Sequence, residues 1–549
     1  MDPAIASELE KFPDNDSVPF RAVSNHTQST WARTFHSHPE LYIQPQSLPE
    51  VEKAINLARR CRRRITTVGC GHSPSTITAT SSWLVNLDSY NKILDVNKES
   101  GAVRMQSGIR LYKLSEELDK IGLAMPNLGS INDQSIAGAI STGTHGSTLR
   151  HGTLSSSISH LKITLANGKT QACSRDENEE LFRAALLSLG ALGIITEVTF
   201  HAVPAFTLAW KQVIDTDHAL YESWDKILWK QSEFVRVWWF PYTRRGVVWT
   251  ADKTEEPQRD PKRSVVKKYY EKWFAYHVYH NLLGISQYVP RILPWIEWFV
   301  FGMQYRFTSG LISSAVQSSG KALLMDCLYS QFVNEWAIPL DKGPEALRRL
   351  SSWLNNLSPS DPDYLPHGIP FSADGLYVHA PVEVRVTDTS TIKTPRPFLD
   401  QTETDGPTLY LNATLYRPYN SDPPCRHRYY QGFEYLMKEL GGRPHWAKNF
   451  ETPGHEIEEM YGDSLTKWRE IRDDVDPEGM FVGDWHRRTV MGSGQRLPLE
   501  EVEIMREDAL GGGVLVSGVV GKGEGTLSTK SSEESFDELR ASEITVRGD

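Results

Sequence analysis

The chain has 549 residues, 39% of them hydrophobic and 10% aromatic, enough for more than one domain with its own core. A formal net charge of −10 argues against a general nucleic-acid binder. Five cysteines (Cys61, Cys70, Cys173, Cys327 and Cys425) are scattered without a C-x-x-C pair, which fits reduced thiols in an intracellular compartment and argues against a structural zinc site.

In chain order, residues 1–24 are polar and read as a loose segment. The opening M-D-P-A-I-A-S-E-L-E-K has neither an apolar core nor a basic leader, so no secretory signal is expected, and its early acidic residues speak against a typical mitochondrial presequence. P-E-V-E-K-A-I-N-L-A-R-R reads as a helix running into Arg59, Arg60, Arg62, Arg63 and Arg64, a cluster better read as the polar end of that helix than as a localisation signal. R-I-T-T-V then reads as a strand entering V-G-C-G-H-S-P-S, residues 68–75. There Gly69 and Gly71 let a turn present consecutive backbone N–H groups to an anion, with His72 projecting beside it. A pyrophosphate loop that carries a nucleophilic imidazole points to a flavin dinucleotide.

L-Y-K-L-S-E-E-L-D-K-I is a second amphipathic helix. The small-residue stretch G-S-I-N-D-Q-S-I-A-G-A-I-S-T-G-T-H-G-S, residues 129–147, predicts close backbone approach to a ligand, with Ser141, Thr142 and Thr144 offering hydrogen bonds. Ile131, Ile136, Ala137, Ala139 and Ile140 imply that it is buried, and no G-x-G-x-x-G stands in a strand-to-helix setting. L-F-R-A-A-L-L-S-L-G-A-L-G-I-I-T-E-V-T-F reads as helix, glycine turn and β-branched strand, closing a region of about 25–205. From about 206 to 440, strand-like aromatic runs such as F-V-R-V-W-W-F-P-Y dominate, and a shorter stretch continues to about 494. Within this part, 269–301 concentrates Trp273, Phe274, Tyr276, Tyr279, Trp295, Trp298, Phe299 and Phe301. It is too polar, and too broken by Pro290 and Pro294, to span a bilayer; peripheral attachment to a membrane surface and an insertion packed on its own domain stand as equal readings. Residues 495–549 read as a disordered tail.

Together these motifs resemble the vanillyl-alcohol oxidase family of flavoproteins, whose FAD domain is termed PCMH-type. The likeness rests on V-G-C-G-H-S, A-G-A-I-S-T-G-T-H-G and L-G-I-I-T-E-V. E-W-A-I-P (335–339), P-V-E-V-R (381–385), P-H-W-A-K (444–448) and D-P-E-G-M-F (476–481) narrow it to the aldonolactone oxidases, and the aromatic segment and tail to their fungal D-arabinono-1,4-lactone-oxidising branch. The resemblance implies an α+β fold: a PCMH-type FAD-binding domain of two subdomains over 25–205, an α+β substrate (cap) domain with a large antiparallel sheet over 206–440, and a segment over 441–494 that completes the active site. It implies FAD held by Gly69, Cys70, Gly71, His72, Ser73, Ser75, Gly138, Ser141, Thr142, Thr144, His145, Gly146 and Ile195. His72 takes the position of a single covalent link to the flavin 8α-methyl, and the lack of a cysteine in 129–147 fits one link only.

The implied reaction oxidises the 2-hydroxyl of an aldono-1,4-lactone, giving an ascorbate-type enediol lactone and, with dioxygen, hydrogen peroxide. D-Arabinono-1,4-lactone is the favoured substrate, with L-galactono- and L-gulono-lactone as further candidates. Such chemistry needs a proton acceptor and a fixed cation near flavin N1 and C2=O, and no metal. Glu383 and Arg385 alternate on one strand face and so would project together; Lys448 is a second cation and His445 a second acid–base group. Without the resemblance, Glu383 and Arg385 are more simply an exposed ion pair, and His445 and Lys448 a solvated helix turn. The implied location is a mitochondrial outer-membrane surface. Two other classes fit less well: a dehydrogenase of the same fold passing electrons to a cytochrome or quinone, and a non-catalytic flavin-binding protein. No G-x-S-x-G elbow supports a hydrolase.

Overall fold

The structure, a computed structural model, describes residues 2–12, 17–261, 273–325, 327–379 and 381–492. The expected tail over 495–549 lies outside the described residues. Two small sheets come first. Strands Leu41–Ile43, Trp83–Asn86 and Ile65–Val68 run parallel, with Ala22–Val23 antiparallel at the edge. The central strand Trp83–Asn86 is buried along its whole length, as expected for a parallel strand covered on both faces. Helix Leu48–Cys61 covers this sheet with Val51, Ala54, Ile55 and Ala58, spaced three and four apart. It begins with a proline in its first turn and ends at Arg62 in left-handed backbone (φ 53). The second sheet is antiparallel, in the order Thr170–Ser174, Ile158–Thr164, Ile194–His201, Ala102–Gln106, Ile93–Asn97.

The N-terminus departs from the loose segment expected over 1–24. Residues Pro3–Glu10 form a helix capped by the Asp2 carboxylate on Ala4 N–H, and Ile5 is fully buried in the core of the parallel sheet. One apolar side chain every turn is enough to anchor so short a helix when a neighbouring helix offers a face.

The third sheet has eight strands, in the order Gly310–Ser318, Thr207–Thr216, Arg245–Thr254, Phe234–Phe240, Val382–Thr387, Thr408–Tyr416, Gln331–Pro339, Arg443–Pro444. On one face Val382, Val384, Val386, Leu409, Leu411, Ala413, Trp336 and Trp239 pack with helices Gly343–Leu354 and Arg426–Glu439. The opposite face roofs the half built from the two smaller sheets. The chain then returns beneath that half: Met480 and Phe481 join the core of the parallel sheet, Ile65 N–H donates to Met480 O, and Arg64 Nη1 donates to Val482 O. The aromatic segment forms two helices, Trp273–Ser286 and Leu293–Tyr305, broken at Pro290–Ile292.

Candidate active site

Strand pleating builds the roof of the site. Trp238 pairs with Glu383, Glu383 with Asn412, and Asn412 with Glu335, so four strands place one transverse row on the same face. His445 extends the row, its N–H donating to Glu335 O at 2.9 Å. Two residues along each strand lie Arg236, Arg385 and Tyr410, and in the other direction Thr414 and Val333, all on that face by the period of two. The valines between them face the opposite core. The alternation in V-E-V-R is thus a wall with a dry side and a charged side.

The floor is made by the two glycine-rich loops. Gly71 turns the chain in left-handed backbone (φ 65), and a Cβ on Gly69 would come within 2.6 Å of Ser135 Oγ on the second loop. The carbonyls of the turn are taken by the protein: Gly69 O by Asn86, Gly71 O by the N–H of Trp31, and Pro74 O by Thr34 and Asn449. Apart from the N–H of His72, which reaches the Cys70 thiol, the opposite N–H edge is the part left for an anion. Along this turn runs a recess lined by Gly69, Cys70, Gly71, His72, Ser73, Gly138, Ser141, Thr142 and Ile195. It joins a second, 160 Å³ recess under the large sheet. His72, Gln134, Ala447 and Lys448 line both and mark the junction.

His72 Nδ1 is buried and has no hydrogen-bond partner among the described residues. Burial, helped by Lys448 and Arg110, lowers its pKa to about 3, so the imidazole is neutral with a free lone pair. An orphaned nucleophilic nitrogen beside a peptide-amide cradle fits a flavin dinucleotide.

Four of the expected cofactor residues, Ser75, Thr144, His145 and Gly146, do not line the turn-side recess. Ser75 Oγ is turned away to Ala447 O (3.3 Å), and Gly146 is packed on Asn127. Thr144 and His145 line the second recess, not the turn-side one. His145 is stacked on Tyr410, with ring centroids 3.4 Å apart, and its Nδ1 donates to Gly146 O at 3.0 Å.

The four residues expected to act on substrate do converge on the second recess: Glu383, Arg385, His445 and Lys448 all line it. His445 is buried, not on a solvated helix turn, and its Nδ1 accepts from Ala447 N–H, which leaves the proton on Nε2. Burial holds its pKa well below the usual histidine range. Glu383 accepts from Ser130 Oγ at 3.3 Å and lies 3.5 Å from Arg236 Nε and 3.7 Å from Arg385 Nε.

At the centre is Glu335, fully buried and not singled out from the sequence. It accepts from Arg385 Nη2 at 2.5 Å and Asn412 Nδ2 at 3.3 Å, and lies 3.5 Å from Lys448 Nζ and 3.3 Å from His145 Nε2. Burial pushes its carboxyl up, but Arg385 and Lys448 outweigh that and hold it well below the usual carboxylate range. Arg236 was also missed; burial lowers it to about 10, which leaves it charged near neutrality. One signal was available for both: a lone charge inside an apolar strand, in F-V-N-E-W-A-I-P and F-V-R-V-W-W-F. Glu335 and Glu383 stand against Arg236, Arg385 and Lys448, two negative charges against three positive, so the recess keeps one net positive charge. Ligand atoms of His145, Glu335 and His445 approach within 4.8 Å of one another, but Arg385 and Lys448 already occupy the carboxylate that a metal would need.

A family model described as FAD binding domain matches residues 39–174, and one described as D-arabinono-1,4-lactone oxidase matches residues 198–489. A Neurospora crassa protein that bears the latter name provisionally is 59% identical over 91% of this chain and 94% of its own. The D-arabinono-1,4-lactone oxidase of Yarrowia lipolytica is 41% identical over 83% of this chain and 95% of its own. Among solved structures, the cholesterol oxidase of B. sterolicum superposes with a TM-score of 0.68 over 87% of this chain and 99% of that one, at 15% identity, a likeness of fold.

Proposed function

This chain belongs to the D-arabinono-1,4-lactone oxidase family, and from that premise we propose that it oxidises D-arabinono-1,4-lactone at the 2-hydroxyl, with L-galactono- and L-gulono-lactone as candidate alternatives. It is an FAD-dependent lactone oxidase with the PCMH-type fold. The product of the proposed reaction is an enediol lactone of the ascorbate type, and dioxygen leaves as hydrogen peroxide. The observation that carries the reading is the row Glu383–Asn412–Glu335–His445, of which Glu383, Asn412 and His445 line one recess with His72 and Lys448.

FAD, when bound, supplies the hydride acceptor. The residues proposed to hold it are those of the 69–73 turn, with Gly138, Ser141, Thr142 and Ile195, and with His72 Nδ1 as the point of a single covalent link. Each remaining role follows from position. The lactone is neutral, so Asn412, Thr414, Ser130 and Gln331 can bind its oxygens without a charge trap. Glu383 is the proposed acceptor of the hydroxyl proton, the less buried of the two carboxylates and the one reaching the recess beside Ser130. Arg385 orients Glu383 and the substrate. His445, with its proton on Nε2, is a hydrogen-bond donor to substrate oxygen. Lys448, at the junction of the two recesses, is the cation that receives negative charge arising beside the ring, and the net positive charge of the recess works in the same direction.

The same proposal takes 25–205 as the flavin domain and 206–494 as the substrate part. In support, among the described residues no strand of the eight-stranded sheet precedes Thr207, and no strand of the two smaller sheets follows His201.

A peripheral membrane contact is a further part of the reading. No described helix is long and apolar enough to cross a membrane. Phe274, Trp295 and Trp298 on the two helices are nevertheless 67%, 50% and 51% exposed, and Tyr288 between them 87%, and tryptophan and tyrosine favour the membrane interface. The family resemblance would make that surface mitochondrial.

The experiment is a panel of five- and six-carbon aldonolactones assayed for oxygen uptake and peroxide with the purified holoenzyme. Peroxide stoichiometric with D-arabinono-1,4-lactone supports the reading. Flavin bleaching by the lactone without peroxide would turn it toward a dehydrogenase, and no bleaching by any lactone would refute it.

A further inference from the structure

The turn that carries His72 is not held by the flavin-binding half alone. A hairpin of strands Gln28–Ser29 and His36–Ser37 lies across it. Trp31 N–H donates to Gly71 O at 2.7 Å and Thr34 Oγ1 donates to Pro74 O at 2.7 Å, one bond on each side of His72. The tip of the hairpin is gripped from beyond by residues that adjoin the large sheet. Ser330 Oγ donates to Ala32 O, and Arg417 Nη1 donates to Arg33 O at 2.8 Å. Ser330 directly precedes the strand Gln331–Pro339, and Arg417 directly follows Thr408–Tyr416.

The Trp31 indole lies against the His72 imidazole, ring centroids 4.7 Å apart and planes 31° apart, while its outer part stays open at 39% exposure. A broad ring packed on one face of an imidazole restricts the χ2 rotation that would otherwise swing Nδ1 away. Nδ1 is the nitrogen left without a partner among the described residues.

Resting on the covalent attachment proposed above, we propose that Trp31 is a positioning residue for that attachment: the 28–37 hairpin is a strap, clamped by the large sheet, that aims His72 Nδ1 at the flavin 8α-carbon. In the step it serves, the Nδ1–C8α bond forms and a C–H bond of the 8α-methyl breaks. The methyl proton and the Nε2 proton leave to solvent. The electron pair released passes to dioxygen, the oxidase's own co-substrate, which takes up two protons as hydrogen peroxide. Nothing in this step needs the indole chemically; it needs the imidazole to stay in one orientation while FAD is held. Because the clamp comes from Ser330 and Arg417, attachment is coupled to the assembled substrate part and not to the FAD-binding sequence alone.

The test compares wild type, Trp31→Ala and Trp31→Phe, purified and incubated in air with added FAD. Native-state flavin absorbance gives total FAD bound, and flavin fluorescence of acid-precipitated protein gives the covalent part over time. The expected result is noncovalent FAD binding near wild type in all three, with acid-stable flavin accruing about tenfold or more slowly in Trp31→Ala and close to the wild-type rate in Trp31→Phe. Attachment at the wild-type rate in Trp31→Ala would overturn the role of Trp31, as would a parallel loss of total FAD binding. If wild-type protein itself releases all its flavin into acid, the covalent reading fails and this proposal falls with it, an outcome the wild-type sample alone distinguishes.

Discussion

Glu335→Gln separates position from charge in the substrate recess. The substitution keeps the shape and removes one negative charge from a fully buried site, between Arg385 Nη2 at 2.5 Å and Lys448 Nζ at 3.5 Å. At an effective dielectric of about 20, a carboxylate and a cation ~3.5 Å apart interact by about 5 kcal/mol before desolvation is counted. Deleting one partner of a buried pair costs about 3–5 kcal/mol net, because the partner is left uncompensated, so a clear drop in melting temperature is expected. For the reaction, the two consequences have opposite signs. The recess moves from one net positive charge to two, which by itself would favour charge arriving on the flavin and speed reduction. Arg385 also exchanges its carboxylate acceptor for a neutral, more weakly held amide oxygen, and a guanidinium displaced by ~1 Å slows reduction on the order of 10²-fold. Placement is expected to dominate, since the flavin gains from a cation only where the cation is fixed. The assay is anaerobic stopped-flow bleaching of the flavin by saturating lactone, with KM measured alongside; reduction should slow far more than KM rises. A reduction rate equal to or above wild type would refute the placement of Arg385 by Glu335.

Arg385→Ala should slow flavin reduction by a comparable or larger factor, and an unchanged reduction rate would remove Arg385 from the proposed chemistry. His72→Ala should yield a colourless acid precipitate while the native protein still binds some FAD; a yellow precipitate would place the link elsewhere. Glu297 predicts a pH effect away from the site. Its Oε1 accepts from Tyr242 N–H, Thr243 N–H and Thr243 Oγ1, its Oε2 is buried without a partner among the described residues, and burial raises its pKa to about 7. Between an unfolded value of about 4.5 and about 7 the folded chain holds a proton that the unfolded chain has released, so this contribution is full below that window and is lost as pH rises through it. The stability of wild type relative to Glu297→Gln should therefore fall from pH 5 to pH 7 in denaturant melts, and a pH-independent difference would contradict it. Trp295→Ser with Trp298→Ser should weaken co-sedimentation with anionic phospholipid vesicles while leaving lactone oxidation unchanged; undiminished binding would remove these rings as the contact.

The glycine turn at 69–71 was legible because its requirements are local. Gly69 and Gly71 at alternate positions, with His72 next to them, satisfy a backbone geometry that eight residues can specify. The V-E-V-R alternation was legible for a similar reason, since a period of two puts Glu383 and Arg385 on one face in any strand. The helix Leu48–Cys61 showed in its apolar spacing and its proline start. What failed to show was burial that depends on distant partners: the N-terminal helix Pro3–Glu10 is held by a core residue, Ile5, whose fellow buried members of that core all lie beyond residue 40.

By itself, then, the sequence determined the glycine turn proposed for the flavin, the candidate covalent histidine and the pair Glu383–Arg385, because each is written within a few residues. Tertiary structure alone decided that Glu335 is the centre of the charge network, that Arg236 joins it, and that His145 lines the recess under the large sheet and not the turn-side one. It alone placed Trp31 on His72. Glu335 meets Arg385, Asn412, Lys448 and His145, residues 50 to nearly 200 positions away in the chain. A charge can be buried only where such partners offset its desolvation, and sheet register, not local pattern, brings them together.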